Sequence, residues 1–420
     1  MTALRRFMPY LALLPWLLVL LLLPLHPTRS LEAAARGAAI WWDVLFPALL
    51  PFAVMAELLV GLGIMHFIGS LFDPMMRPLF RVPGYGGFVM AMGYASGYPI
   101  GAKLTAGLRE RKLLSREEGE RLVAFVTTSD PIFLIGAVSV GFFHDASLAA
   151  VLAAAHYGGG LLVGLAMRFH GPAEPQAADK DQADSRRKSF LRRTFAAMHK
   201  ARLEDGRPFG VMLQDAVAGG LRLVLVIGGL VVFFSVVLEL FAAVGLMDLL
   251  YASAARMFHW LRVPETLSRA AVDGAFEVTL GTKAAGAAPS AVPLVHKAAV
   301  AAFILSWAGL CVHAQIVSLL TRTGLRYAPF LAARLMHGCF AFVLVYALWK
   351  PLSPIREAAA GLWPYGISSA ASFLLGAPLC LIVFLSVLLA IPPLYAVFLG
   401  VSRLLVLLGR AFAGPPASGG

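Results

Sequence analysis

The chain has 420 residues, 59% of them hydrophobic and only 14% charged, with a formal net charge of +12. A soluble domain is roughly 45–50% apolar and about 25% charged, so these proportions exclude a water-soluble globular protein and call for lipid as the solvent. The basic excess lies in loops between apolar stretches, where the positive-inside rule accounts for it, and no soluble module is left to bind nucleic acid.

Arg5 and Arg6 precede an apolar run over 8–24. The run is longer than a signal-peptide core and no A-x-A site follows it, so it reads as a retained first helix with its N-terminus in the cytoplasm. A second span, 38–64, returns the chain to that face. The stretch 87–108 is different. Gly93, Gly97, Pro99 and Gly101 fall close together, which a good helix does not tolerate. It is expected to form a re-entrant hairpin, since irregular backbone survives at membrane depth only when buried in protein or lining a cavity. Ser96, Gly97, Tyr98, Pro99 and Lys103 are its candidate solute-binding residues.

Span 122–143 contains Thr127, Thr128, Ser129 and Asp130 just before Pro131. A proline break frees carbonyls beside three hydroxyls and a carboxylate, a set suited to sodium or a proton. These four residues are the candidate ion-coupling site. Span 147–167 follows, with His156 and Tyr157 read as packing residues, and then a basic cytoplasmic loop over 168–209.

The second half repeats the order. Span 221–245 is followed by an amphipathic interfacial segment, 246–269. A second Gly/Ala-rich hairpin, 270–290, carries Glu277, Thr279, Gly281 and Lys283 as candidate substrate ligands, with a Glu277–Lys283 ion pair as the alternative. Span 293–320 is interrupted by Gly309, His313 and Gln315; His313 and Gln315 are further candidates. Apolar segments 328–349, 366–390 and 393–409 complete the chain. The two hairpins are expected to enter from opposite faces, the pattern of an inverted-topology repeat in a transporter. The expected organisation is an all-α polytopic membrane protein: an N-terminal half, 1–167; the basic loop, 168–209; a second repeat, 210–350; and C-terminal segments, 351–420.

Cys311, Cys339 and Cys380 lie in apolar segments without metal-type spacing. No nucleotide loop, hydrolase elbow or zinc signature stands in a suitable context. No enzymatic activity, cofactor or metal is expected. The expected partners are a small organic anion, sodium or a proton, and membrane lipid, with homo-oligomerisation left open.

Taken together, Ser96 to Lys103, Thr128 to Val138, Phe276 to Gly281 and Gly309 to Gln315 resemble the YlbJ sporulation membrane protein family, in order and spacing over about residues 1–410. The resemblance implies paired nucleoside-recognition, or Gate, domains and kinship with concentrative nucleoside transporters. It also implies a place in the inner or spore-envelope membrane of endospore-forming bacteria, and a role in moving dipicolinate across the outer forespore membrane during spore maturation. Asp130 departs from the Ser-Gly-Pro-like break expected at its position. Nucleoside transport and a non-transporting scaffold are the alternatives. A dianion calls for matching positive charge, which Lys103 and Lys283 are placed to supply, whereas a scaffold needs no polar residues at mid-span.

Overall fold

The computed structural model describes residues 14–172 and 190–362. Segments 366–390 and 393–409, with Arg5, Arg6, Arg186, Arg187, Lys188 and Cys380, lie outside the described residues. Within them the regular structure is entirely helical. Helix α1 (Leu14–Leu25) meets α2 (Pro27–Ile40) at a sharp bend, the pair turning through 108°. His26 falls at the corner and Pro27 opens α2, where a missing N–H costs nothing. A short π-wound turn, Trp41–Leu45, leads into α3 (Phe46–Gly61) and α4 (Ile64–Phe80). The expected single span over 38–64 is thus a composite.

Four helical stretches among the described residues are long and apolar enough to cross a membrane: Leu148–Met167, Phe209–Ala243, Leu294–Leu320 and Tyr327–Trp349; the bent α1–α2 pair would make a fifth. Segment 122–143 is not among them, because its helix is interrupted. It runs as α7 (Arg116–Val126), a non-helical Thr127–Asp130, and a π-wound α8 (Ile132–Phe142). Pro131, which cannot donate to the ladder, stands at the restart.

Three more breaks complete the set. Helices α5 (Tyr85–Ser96) and α6 (Tyr98–Glu110) are joined by Gly97 alone and pack against each other. After α9 (Leu148–Met167), α10 (Phe190–Asp205), α11 (Phe209–Ala243) and α12 (Leu246–Trp260), the same arrangement returns. Helices α13 (Ser268–Phe276) and α14 (Val278–Gly286) meet at Glu277 and pack together. Helix α15 (Leu294–Trp307) continues past Ala308 into α16 (Gly309–Leu320) as one interrupted span. Helix α17 (Tyr327–Trp349) then packs on both α15 and α9, and α18 (Ser353–Leu362) ends the described chain.

Part of the basic loop is therefore structured. Helix α10 docks on α4, with Phe195 and Phe67 rings 5.0 Å apart. Helix α12 leaves Leu249, Met257 and Trp260 exposed, as an interfacial segment would.

Candidate functional site: four helix breaks around a buried arginine

A helix that stops at membrane depth leaves up to four carbonyls without partners. At the end of α7, Thr127 Oγ1 donates to Val123 O at 2.6 Å, while the guanidinium of Arg334 donates to Ala124 O and Thr127 O. At the end of α15, Tyr98 OH donates to Leu305 O at 2.6 Å and a ring nitrogen of His313 bonds Trp307 O at 3.0 Å. Arg334 Nη1 also reaches Ser306 O at 3.4 Å. One wholly buried arginine on α17 thus joins the carbonyl ends of two interrupted helices that are nearly two hundred residues apart in sequence. Carbonyl-rich helix C-termini attract a cation, so the charge has a physical reason to be there.

The starts of the restarted helices hold the acids. Asp130 Oδ1 accepts the Phe133 N–H at 2.9 Å at the start of α8, and Glu277 Oε2 accepts the Leu280 N–H at 2.8 Å at the start of α14. A carboxylate suits the positive end of a helix dipole. Each acid stands at a crossing with a glycine of positive φ. Gly97 has φ 88° and ψ −179°, a conformation almost confined to glycine. A Cβ placed on it would lie 3.1 Å from Asp130 Oδ2. A Cβ on Gly309, φ 73°, would lie 2.9 Å from Phe276 O and 3.1 Å from Glu277 N.

Helix α9 supplies the hinge between the breaks. The Ser129 N–H donates to His156 Nε2 at 2.9 Å, so Nδ1 carries the proton and donates to Ser306 Oγ at 2.8 Å. Tyr157 OH donates to Ser129 O at 3.1 Å, and His337 Nε2 donates to His156 O at 2.6 Å with the two imidazoles 4.9 Å apart. Tyr98 lies within electrostatic reach of Asp130, Glu277 and Arg334 together. Several buried groups keep unused hydrogen-bonding capacity: Tyr94 OH, Ser96 Oγ, Arg334 Nε and His337 Nδ1 have no partner among the described residues.

The structure brings Ser96, Gly97, Tyr98, Pro99, Thr127, Thr128, Ser129, Asp130 and Glu277 to these breaks. Thr279 and Gly281 follow on the first turns of α14. The lysines have other surroundings. Lys103 Nζ stands 2.7 Å from Glu57 Oε1 on α3, and Lys283 is exposed and makes no ion pair with Glu277. His313 is tied to Trp307 O and, at 2.8 Å, to Tyr327 OH, and Gln315 Nε2 faces Cys311 Sγ at 3.6 Å. Sequence reasoning missed Arg334 and His337 and read His156 and Tyr157 as packing. An arginine and a histidine inside the apolar 328–349 stretch were the available signal, because ionisable groups at membrane depth are expensive.

A second polar cluster lies at the loop end of α7, outside the apolar spans. Glu120 accepts from the Arg326 backbone and guanidinium at 2.7–3.0 Å and bonds His170 Nε2 at 2.6 Å. Burial works against the charge on Glu120, but the hydrogen bonds from Arg326 and His170 outweigh it and hold its carboxyl down at about 2.

Helices of this length and apolarity, interrupted beside buried polar groups, are those of an integral membrane protein. Residues 43–146, which include the Gly97 and Thr127–Asp130 breaks, match the Gate family of nucleoside recognition. The chain is 45% identical over 332 residues to the sporulation integral membrane protein YlbJ of Bacillus subtilis (strain 168), covering 78% of this chain and 79% of that protein. The chain belongs to the YlbJ family of sporulation integral membrane proteins. No solved structure matches it.

Proposed function

We propose that the chain is a secondary transporter of a small organic anion across a bacterial membrane, with dipicolinate as the substrate the family resemblance favours. One observation carries the reading. A wholly buried arginine, whose hydrogen-bond partners are backbone carbonyls rather than a carboxylate, sits where interrupted helices from both halves converge. A scaffold gains nothing from such an arrangement, since burying a charge is costly. A carrier needs polar backbone at mid-depth to replace a solute's water. The uncommitted Arg334 Nε and the Tyr94 and Ser96 hydroxyls are donors suited to a carboxylate. In this reading the α5–α6 and α13–α14 pairs are re-entrant hairpins of an inverted repeat. Asp130 and Glu277 are then the acidic candidates for the coupling ion, sodium or a proton. The outer forespore membrane and a cytoplasmic N-terminus belong to the same proposal.

The test is uptake of labelled dipicolinate and labelled uridine, side by side, into proteoliposomes of the purified chain. Saturable dipicolinate uptake without uridine uptake is the expected result. Uridine uptake alone would favour the nucleoside reading that the Gate match suggests. Uptake of neither would leave the scaffold.

A further inference from the structure

Glu277 and Asp130 occupy equivalent local positions, yet their surroundings differ. Asp130 is only half-buried, whereas Glu277 is 5% exposed. No lysine, arginine or histidine pairs with Glu277 among the described residues: the lysine on its own helix, Lys283, is exposed. His313 on α16 is committed to Trp307 O and Tyr327 OH. Asp273 on α13 bonds Tyr251 OH at 2.7 Å. The titratable groups that do face Glu277 are Tyr98 on α6 and Cys311 on α16. Neither of them supplies a positive charge.

Two opposing influences meet on this carboxyl. Burial in an apolar bundle without a counter-charge favours the neutral acid. The N–H groups at the start of α14, one of them bonded to Oε2 at 2.8 Å, favour the anion. The backbone around it is also poised: Glu277 is the single extended residue between two helices, at φ −141° and ψ 123°, against the positive-φ Gly309. A shift of either helix changes the balance between the two influences.

We propose that Glu277 is the proton-carrying carboxylate that couples solute movement to the membrane pH gradient. The proposal rests on the transport reading and adds the coupling ion and its carrier. One oxygen of the carboxylate takes a proton from water on the more acidic side, forming one O–H bond. It returns that proton to water on the other side after the breaks rearrange. On entry an O–H bond of hydronium breaks as the carboxyl O–H forms, and on exit the carboxyl O–H breaks as an O–H of hydronium forms, so no other bond changes. Asp130, half-buried and opposed to Gly97, accepts the Phe133 N–H at the start of α8.

The experiment measures labelled dipicolinate uptake into proteoliposomes with and without an imposed pH gradient, for wild type, Glu277→Gln and Glu277→Asp. Glutamine keeps an oxygen to accept the Leu280 N–H but cannot ionise, which separates capping from proton exchange. Wild type and Glu277→Asp should respond to the gradient, and Glu277→Gln should lose the response. A second measurement covers a Gln variant that fails to fold. Wild-type protein in detergent is treated with dicyclohexylcarbodiimide, which attacks protonated carboxyls in apolar surroundings, and its peptides are mapped by mass spectrometry. Glu277 should be modified, less so as pH rises. An intact gradient response in Glu277→Gln, or an unmodified Glu277 at every pH, overturns the proposal. Dipicolinate uptake by wild type that ignores the gradient also overturns it. No dipicolinate uptake by wild type with Glu277 still modified overturns the transport reading instead.

Discussion

The two crossings use the same parts in exchanged places. In the first, the acid Asp130 is on the interrupted span α7–α8 and the glycine, Gly97, joins the packed pair α5–α6. In the second, the acid Glu277 joins the packed pair α13–α14, and the glycine, Gly309, is on the interrupted span α15–α16. The exchange shows that what the crossing requires is one carboxylate at a helix start and one residue without a side chain to admit it. Which chain segment provides which is free. The carbonyl ends are treated differently: both are served by a single cation, Arg334.

The largest break in this comparison should come from Arg334→Ala. It strips both crossings at once, leaving Ala124, Thr127 and Ser306 carbonyls buried without their donor. The expected loss is on the order of 3–5 kcal/mol, as when one partner of a buried charged network is removed. Thermal melting of the purified protein in detergent measures it. Arg334→Lys should recover only part, because an ammonium lacks the planar fork that spans separate carbonyls. A melting temperature unchanged in Arg334→Ala would remove the arginine from its bridging role.

Gly97→Ala against Gly309→Ala sharpens the difference between crossings. Alanine at Gly97 must hold a glycine-only conformation and press on Asp130, at a cost of about 1–3 kcal/mol. Gly309 lies in the left-handed region, which alanine enters for about 1–2 kcal/mol, and Ala308 beside it already does so at φ 76°. Gly97→Ala should therefore melt lower than Gly309→Ala. It should also disturb solute uptake more, through Asp130. The reverse order would mean that the 2.9 Å approach to Phe276 O dominates.

The smallest effect is expected away from both crossings, at Glu120. Its carboxyl is held below the ordinary value of 4.5 in the folded protein, at about 2. The stabilisation it gives is therefore complete above about pH 4.5 and fades as pH falls toward 2. Glu120→Gln should cost about 1–2 kcal/mol at neutral pH, at the low end for a charged hydrogen bond because Arg326 is half exposed. It should also flatten the acid side of the stability profile. Melting curves of both proteins between pH 3 and 7 test this, and parallel profiles would remove Glu120 from the acid response.

Composition alone determined that the chain is helical and lives in lipid, because that fraction of apolar residues has no other solvent and lipid accepts few other backbones. Local sequence also marked the breaks. Gly97, Pro131 and the polar runs at Thr127–Asp130 and Glu277 carry the signal within a few residues, since the failure of a helix is a local event. Tertiary structure alone decided what fills the broken ends. Arg334 and His337 stand some two hundred residues from the Thr127 carbonyl and His156 they serve, on a helix whose own sequence is otherwise apolar and unbroken. Lys103 and Lys283 looked as well placed for a charge at the site. Packing instead gave Lys103 to Glu57 and left Lys283 exposed. An orphaned carbonyl accepts from whichever donor the bundle brings near, and helix periodicity specifies only that α17 packs, not which of its side chains finds the gap.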